Sequence, residues 1–327
     1  MAFYERNMSK TATIFAPSTQ PLSIALLVLP QSSILEVAST LDPLRSANRH
    51  LGQDAFRWRV VSPDGQPVPL TCGIQLPSAG PLQTAAGADV LIVIAGFRQS
   101  QVATAPLIRD LSRMAPRFTA IGGIDAGPWV LARAGLLNGH RATVHWEDLE
   151  DLAAAHPQIE VAPDRFVLSG NRFTAGGAAP AADLMLHLIA ARHGPALALA
   201  VAASFITTAR PGHEPQLGPQ PPKTRLNPRV AAAIARMEAR IDAPEPVSAT
   251  AAALNLSPRR LEQLFRENLG LTPGAYVLHL RLQTARRLTT DTHHPLAEIA
   301  LRTGFSSAAS LSRAFRRAFG QPPSALR

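Results

Sequence analysis

Two regimes of hydrophobic patterning follow one another along the chain. Residues 22–29 form an unbroken apolar run closed by Pro30, and residues 88–95 and 118–124 repeat the pattern. Short continuous apolar runs of this length predict strands buried on both faces. Residues 56–62 alternate like a strand and end in the turn Pro63-Asp64-Gly65. Between these runs, Ile34, Val37, Leu41 and Leu44 recur at helical spacing, residues 105–115 are amphipathic, and residues 127–134 predict a helix closed by Gly135. Residues 141–145 predict a short strand, and 165–169 with 172–175 a hairpin around Gly170-Asn171. Two apolar helices follow, over 178–192 and from Pro195 through Ile206. Strands alternating with helices predict an α/β domain with a mostly parallel sheet. Ligands in such sheets sit beyond the carboxyl ends of the strands, here near Pro30, Gly96, Asp125 and His145.

The second regime begins after residues 211–222, which hold five prolines and no apolar period and predict a semi-rigid linker over 211–226. Asn227-Pro228 is a helix start, cap then proline. From Val247 the chain holds two half-similar units. Leu261, Phe265, Arg266, Gly270 and Pro273 match Leu311, Phe315, Arg316, Gly320 and Pro323 at a spacing of 50 residues. Each unit predicts helix, tight turn, helix, the layout of a helix-turn-helix DNA reader. Residues 273–289 between them predict one rigid helix, roughly 25 Å long at 1.5 Å per residue.

Charge sharpens this division. Residues 227–327 hold 14 Arg against 7 Asp or Glu, a balance of +7, whereas residues 1–226 hold 18 basic and 16 acidic, a balance of +2. A basic third beside a near-neutral remainder points to a polyanion-binding module joined to something else. The lone Cys72 excludes an intrachain disulfide and reads as an incidental or buried thiol, which fits a reducing cytoplasm. Apolar runs fall short of the roughly 18 residues a membrane helix needs. Residues 1–20 lack the pattern of a signal peptide and read as a disordered tail. Neither His145 nor His293-His294 has matched ligand spacing elsewhere, so no metal and no cofactor is expected.

In the first reader Ser257 caps a helix that buries Leu261, Leu264 and Phe265 and leaves Arg259, Arg260 and Gln263 outward. Arg and Gln have the forked geometry that matches guanine and adenine edges. In the second, Ser307 caps, Leu311, Phe315 and Phe319 go inward, and Ala308, Ala309, Ser310 and Arg313 face out. Small residues let that helix seat deeply, and Ala can meet a thymine methyl. Arg266, Arg281, Ser306, Arg316 and Arg317 read as phosphate contacts, which position without specifying. The first half-site is expected to discriminate bases more strongly. A solvated basic helical bundle would show the same arginines without the matched repeat.

Residues 247–327, through Ile299-Ala300, Gly304-Phe305, Arg313, Phe315, Phe319-Gly320 and Pro323, resemble the AraC/XylS transcription regulators. Residues 21–210 look like a PfpI-type, class I glutamine-amidotransferase-like domain. The motifs are Pro43-Leu-Arg-Ser-Ala-Asn48, Arg133 through Trp146, Arg165-Phe-Val and Thr174-Ala-Gly-Gly177. The layout is that of GlxA-type regulators. It implies a flavodoxin-like parallel sheet with helices on both faces, followed by an all-α domain with two helix-turn-helix units. It also implies double-stranded DNA, a small-molecule effector and RNA polymerase as partners, a homodimer, and an activator acting in the cytoplasm.

Enzymes of that superfamily carry a nucleophilic Cys at a strand-to-helix elbow, where this chain has Asp125 in Gly122-Gly-Ile-Asp-Ala-Gly127. A carboxylate cannot do thiol chemistry, so the catalytic site is expected to have become a binding site. Asp125 has a plainer reading as the N-cap of the helix that follows. The sharper one pairs it with Glu36, the acidic position of the first helix in the superfamily, against a cationic ligand. Trp129 and Trp146 would supply aromatic faces, and Asn48, His145 and the turn from Thr174 to Gly177 the remaining pocket contacts. GlxA-type regulators that answer to betaines, carnitine or arginine make an amine the expected effector. The rivals are a PfpI-like hydrolase or lyase with a DNA-binding tail, and a constitutive DNA binder whose first domain only dimerises.

Overall fold

A computed structural model describes residues 13–216, 227–292 and 294–326, and the chain divides into two compact units at Gly218. The first is built on a six-stranded sheet. Its strands are β1 (Leu22–Val28), β2 (Phe56–Val61), β5 (Val90–Ala95), β6 (Ala120–Asp125), β9 (Phe166–Ser169) and β10 (Arg172–Ala175), in the order β2-β1-β5-β6-β10-β9. All neighbours run parallel except the β9–β10 hairpin. Two-residue strands β3 (Val68–Pro69) and β4 (Gln75–Leu76) form a separate ladder, as do β7 (Arg141–Ala142) and β8 (Glu160–Val161). Residues 141–145 therefore do not join the main sheet, because Arg141 and Ala142 pair with Glu160 and Val161.

Both faces of the sheet are covered, which is why its strands read as continuous apolar runs. Ile24, Leu26, Ile92 and Ile94 point into a cluster with α1 (Ile34–Leu51), α6 (Ala178–His193) and α7 (Pro195–Ser204). Ala25, Leu27, Leu91 and Val93 point to the other face. There they meet α3 (Ala105–Met114) and α4 (Gly127–Arg133), beside the short helices α2 (Gln99–Val102) and α5 (Leu149–Ala155). The alternation along each strand divides its side chains between two cores.

Two expectations about the ends of this unit need correction. Residues 13–15 are not a loose tail: they form a turn whose Ile14 is buried, and Arg192 donates to its carbonyl at 3.2 Å. Residues 1–12 lie outside the described residues. The first half of the proline-rich linker is also docked. Arg165 and Phe166 donate backbone N–H bonds to Glu214 and Gly212, and Gln216 donates to Pro163. It is held by polar groups, its backbone and the Gln216 amide, which is why its composition shows no apolar period. Residues 217–226 lie outside the described residues.

The second unit is helical: α8 (Pro228–Glu238), α9 (Val247–Ala253), α10 (Pro258–Leu269), α11 (Pro273–Asp291), α12 (Leu296–Arg302) and α13 (Ala308–Phe319). Helices α8 to α10 enclose one core around Ile234, Leu261 and Phe265; α11 to α13 enclose another around Ile299, Leu311 and Phe315.

Candidate functional sites

The reader helices are set by local chemistry. Ser257 accepts the Arg260 N–H at 3.2 Å, and Ser307 accepts that of Ser310 at the same distance. Both helices end on a left-handed glycine, Gly270 at φ 69° and Gly320 at φ 76°. The turns differ. Asn255 takes the left-handed conformation two residues before the first cap, Gly304 three residues before the second. Ser306 is the extra residue, which is why the 50-residue register starts only after the turn.

Arg259, Arg260, Gln263, Arg266, Arg313 and Arg316 are exposed, as are Ser257, Ser307 and Ala309. Gln263 hydrogen bonds Glu267 at 2.8 Å, so its amide must change partner to read a base. Ser310 is half-buried and committed to a capping box with Ser307, and Ala308 is half-buried beside it; these two shape the helix start more than they face outward. Arg281, expected to meet phosphate, is engaged within the protein. Its Nε and guanidinium nitrogen donate to the carbonyls of Thr303 (2.7 Å) and Gly304 (2.6 Å), and it lies 3.9 Å over the Phe305 ring. It clamps the turn of the second reader, a long-range role its own helix does not reveal.

The other site lies at the carboxyl ends of β1, β5 and β6. Asp125 ends β6 at φ 58°, a left-handed conformation that costs a non-glycine residue of order 1–3 kcal/mol. The elbow is tight because α4 starts directly against the sheet: a Cβ on Gly127 would lie 2.1 Å from the Val93 carbonyl, and one on Gly123 2.7 Å from Pro128 N. The capping reading of Asp125 fails, since the N-cap of α4 is Ala126 and no side chain caps it.

Glu36 sits in the first turn of α1, buried and bonded to the Ser33 N–H at 3.3 Å. Its carboxyl and that of Asp125 share a hydrogen bond. Burial, and then the Asp125 charge, push Glu36 up to about 9. Burial, and then the Asp148 charge, raise Asp125 to about 7, with Glu147 adding and the hydrogen bond from Glu36 opposing. Glu36 therefore keeps the proton and donates it to Asp125. The His145 N–H donates to the Asp125 carbonyl at 3.3 Å, and its ring lies 3.7 Å from Glu147 and 5.7 Å from the Trp146 ring. Gly177 closes the other side: a Cβ there would stand 3.7 Å from both the Asp125 carboxyl and the His145 ring.

Three expected pocket residues are held elsewhere. Asn48 lies in the last turn of α1, at the amino end of the parallel strands, and its amide bonds both the N–H (2.9 Å) and the C=O (2.7 Å) of Phe56. Thr174 is buried with its hydroxyl accepting the Thr143 N–H at 2.8 Å; it ties the His145 segment to the sheet. Trp129 packs edge-on against His156 and into the second core. Sequence reasoning passed over Glu147 and Asp148 as pocket charges, though both adjoin a quoted motif, whereas it did include Gly177 in the turn from Thr174 to Gly177. Cys72 is exposed, contrary to a buried thiol, in the turn between β3 and β4. Among the described residues no cluster of His, Cys, Asp and Glu is suited to hold a metal ion, and no helix is long and apolar enough to cross a membrane.

Comparison with known proteins matches both units. Residues 22–191 fit the DJ-1/PfpI family and residues 250–327 a helix-turn-helix domain. The HTH-type transcriptional regulator CdhR of Pseudomonas aeruginosa is 37% identical over 300 residues, covering 91% of this chain and 89% of that protein. The HTH-type transcriptional regulator GlxA of Rhizobium meliloti is 34% identical over 311 residues, with 93% and 95% covered. A solved AraC family transcriptional regulator from Pseudomonas putida is 29% identical with a TM-score of 0.52, over 57% of this chain and 100% of that one. The chain belongs to the GlxA-like transcriptional regulators, which join a DJ-1/PfpI domain to an AraC-type helix-turn-helix domain.

Proposed function

We propose that this regulator's hold on DNA is set by a small cationic metabolite bound at Asp125, in a DJ-1/PfpI domain that performs no catalysis. One observation carries the reading: the elbow position holds a carboxylate in a strained conformation, hydrogen bonded to a protonated Glu36 and flanked by Glu147 and Asp148. Such a cluster disfavours added negative charge and rewards an ammonium or guanidinium group, with the Trp146 ring beside it as an aromatic neighbour. A bound cation would stabilise the fully ionised carboxyl pair, so binding releases a proton. The effector acts only through unequal affinity for the DNA-competent and incompetent states. We read the active species as a homodimer that engages RNA polymerase and activates transcription from double-stranded DNA.

A thermal-shift screen of quaternary ammonium compounds, amino acids and polyamines tests this. At a hundredfold excess over its Kd, a ligand should add about 2.7 kcal/mol of stability to the wild type. Asp125→Asn should abolish that gain while binding DNA normally. A response that survives Asp125→Asn, or enzymatic turnover abolished by Cys72→Ala, would overturn the reading.

A further inference from the structure

The docked segment Arg210–Gln216 ends in a side chain that reaches the wall of the Asp125 site. The Gln216 amide nitrogen lies 2.8 Å from Thr143 Oγ1, 2.8 Å from the Val144 carbonyl and 3.0 Å from the Asp164 carbonyl. Carbonyls only accept, and Thr143 Oγ1 already donates to Asp164 O, so the NH2 end must face this cluster. Gly176 makes room for it: a Cβ there would lie 2.1 Å from the Gln216 nitrogen. Val144 and Gly176 immediately precede His145 and Gly177, the two walls beside the Asp125 carboxyl. The segment itself is fastened by the Asp164–Pro215 bridge and by the Arg210 N–H, which donates at 2.9 Å to Asp183, the buried partner of Arg165.

We infer that Gln216 is a positioning residue of the ligand site, contributed by the root of the segment that leads to the DNA-binding unit. Docking of residues 210–216 and occupation of the Asp125 site are then one equilibrium. A ligand that moves the His145 and Gly177 walls changes the grip on Gln216, and release of Gln216 slackens the walls. This rests on Asp125 being the effector site, and it names the route by which that site reaches the linker.

The test is hydrogen exchange on the full chain of wild type, Gln216→Glu and Gln216→Ala. Gln216→Glu keeps the shape but turns an acceptor toward two carbonyls. At neutral pH both variants should speed exchange at residues 143–146 and 176–177 about tenfold, the scale of one lost buried hydrogen bond, with β1 and β5 unchanged. Toward pH 4 the introduced carboxyl of Gln216→Glu takes up a proton and regains a donor. The excess exchange of that variant over wild type should then shrink while that of Gln216→Ala persists. With tetramethylammonium as the probe and sodium as the control, wild type should show altered exchange at residues 210–216, and both variants weaker probe binding. Unchanged exchange at 143–146 and 176–177 in both variants overturns the positioning role and leaves the proposed function standing. Excess exchange in Gln216→Glu that ignores pH overturns it equally. Probe binding that leaves 210–216 unaltered overturns the coupling. Absence of probe binding to wild type removes the cationic reading of the site, and the coupling with it.

Discussion

The reader helices and the Asp125 site are built by opposite means. The readers display exposed cationic side chains on helices fixed by their own caps, so each contact residue stands on a scaffold a dozen residues long. The candidate site at Asp125 gathers one buried and three half-buried acidic groups from separate segments, the start of α1, the elbow after β6 and the turn after His145, with Gly177 beside them. The reader is therefore damaged through packing at its turns or through loss of a surface contact. The Asp125 site is damaged through its charge balance.

The largest expected effect breaks the reader through packing. Gly304 combines φ 69° with a Cβ position 2.7 Å from the Ile241 carbonyl. Gly304→Val should cost about 3 kcal/mol or more and melt the second half of the reader, measured by chemical denaturation of the C-terminal unit's signal. Asn255→Val, at the matching turn of the first reader, should cost about 1–2 kcal/mol, since left-handed strain acts there too but Asn already tolerates it. Arg281→Met falls between these two: losing two charged hydrogen bonds should cost about 2–3 kcal/mol of stability. It should leave the salt dependence of residual DNA binding unchanged, whereas a phosphate contact would lower that slope by about one.

Effects on the surface contacts fall on DNA binding and spare stability. Arg259→Ala or Arg260→Ala should weaken the cognate site by about 1–3 kcal/mol, relax base preference and leave melting unchanged. Arg313→Ala should do the same at the second half-site. Equal loss on every sequence would reassign these residues to phosphates. The smallest effect belongs to the Asp125 site. Glu36 and Asp125 titrate higher folded than unfolded, so the folded state binds extra protons between their ordinary range and about 7 for Asp125 or about 9 for Glu36. Their contribution to stability is greatest at low pH and declines as pH rises through those values. The melting temperature of the first unit should therefore fall from pH 6 to pH 9, and Glu36→Gln should flatten that fall.

The same contrast explains what the sequence made legible. Ser257, Ser307, Gly270 and Gly320 act within a few residues of where they stand, so their pattern disclosed the readers and the helix limits. The apolar runs disclosed the buried strands for the same reason. Arg281 acts on Thr303 and Gly304, more than 20 residues away, and nothing in its own helix distinguishes it from an exposed arginine. Asn48 ends the Pro43–Asn48 motif of the family resemblance, yet α1 runs antiparallel to the strands and carries it to the far end of the sheet. Glu36, at the other end of that helix, is delivered to Asp125. Residues 210–216 dock through backbone groups and the Gln216 amide, which proline-rich composition conceals.

The most direct test of the whole account is the affinity of one mapped promoter fragment for wild type and Asp125→Asn, with and without the effector found by thermal shift. The account predicts a wild-type Kd that moves at least about fivefold on adding effector, the scale of a coupling free energy near 1 kcal/mol. It predicts an Asp125→Asn Kd equal to that of ligand-free wild type and indifferent to the effector. An effector-dependent shift of the same size in Asp125→Asn would contradict it.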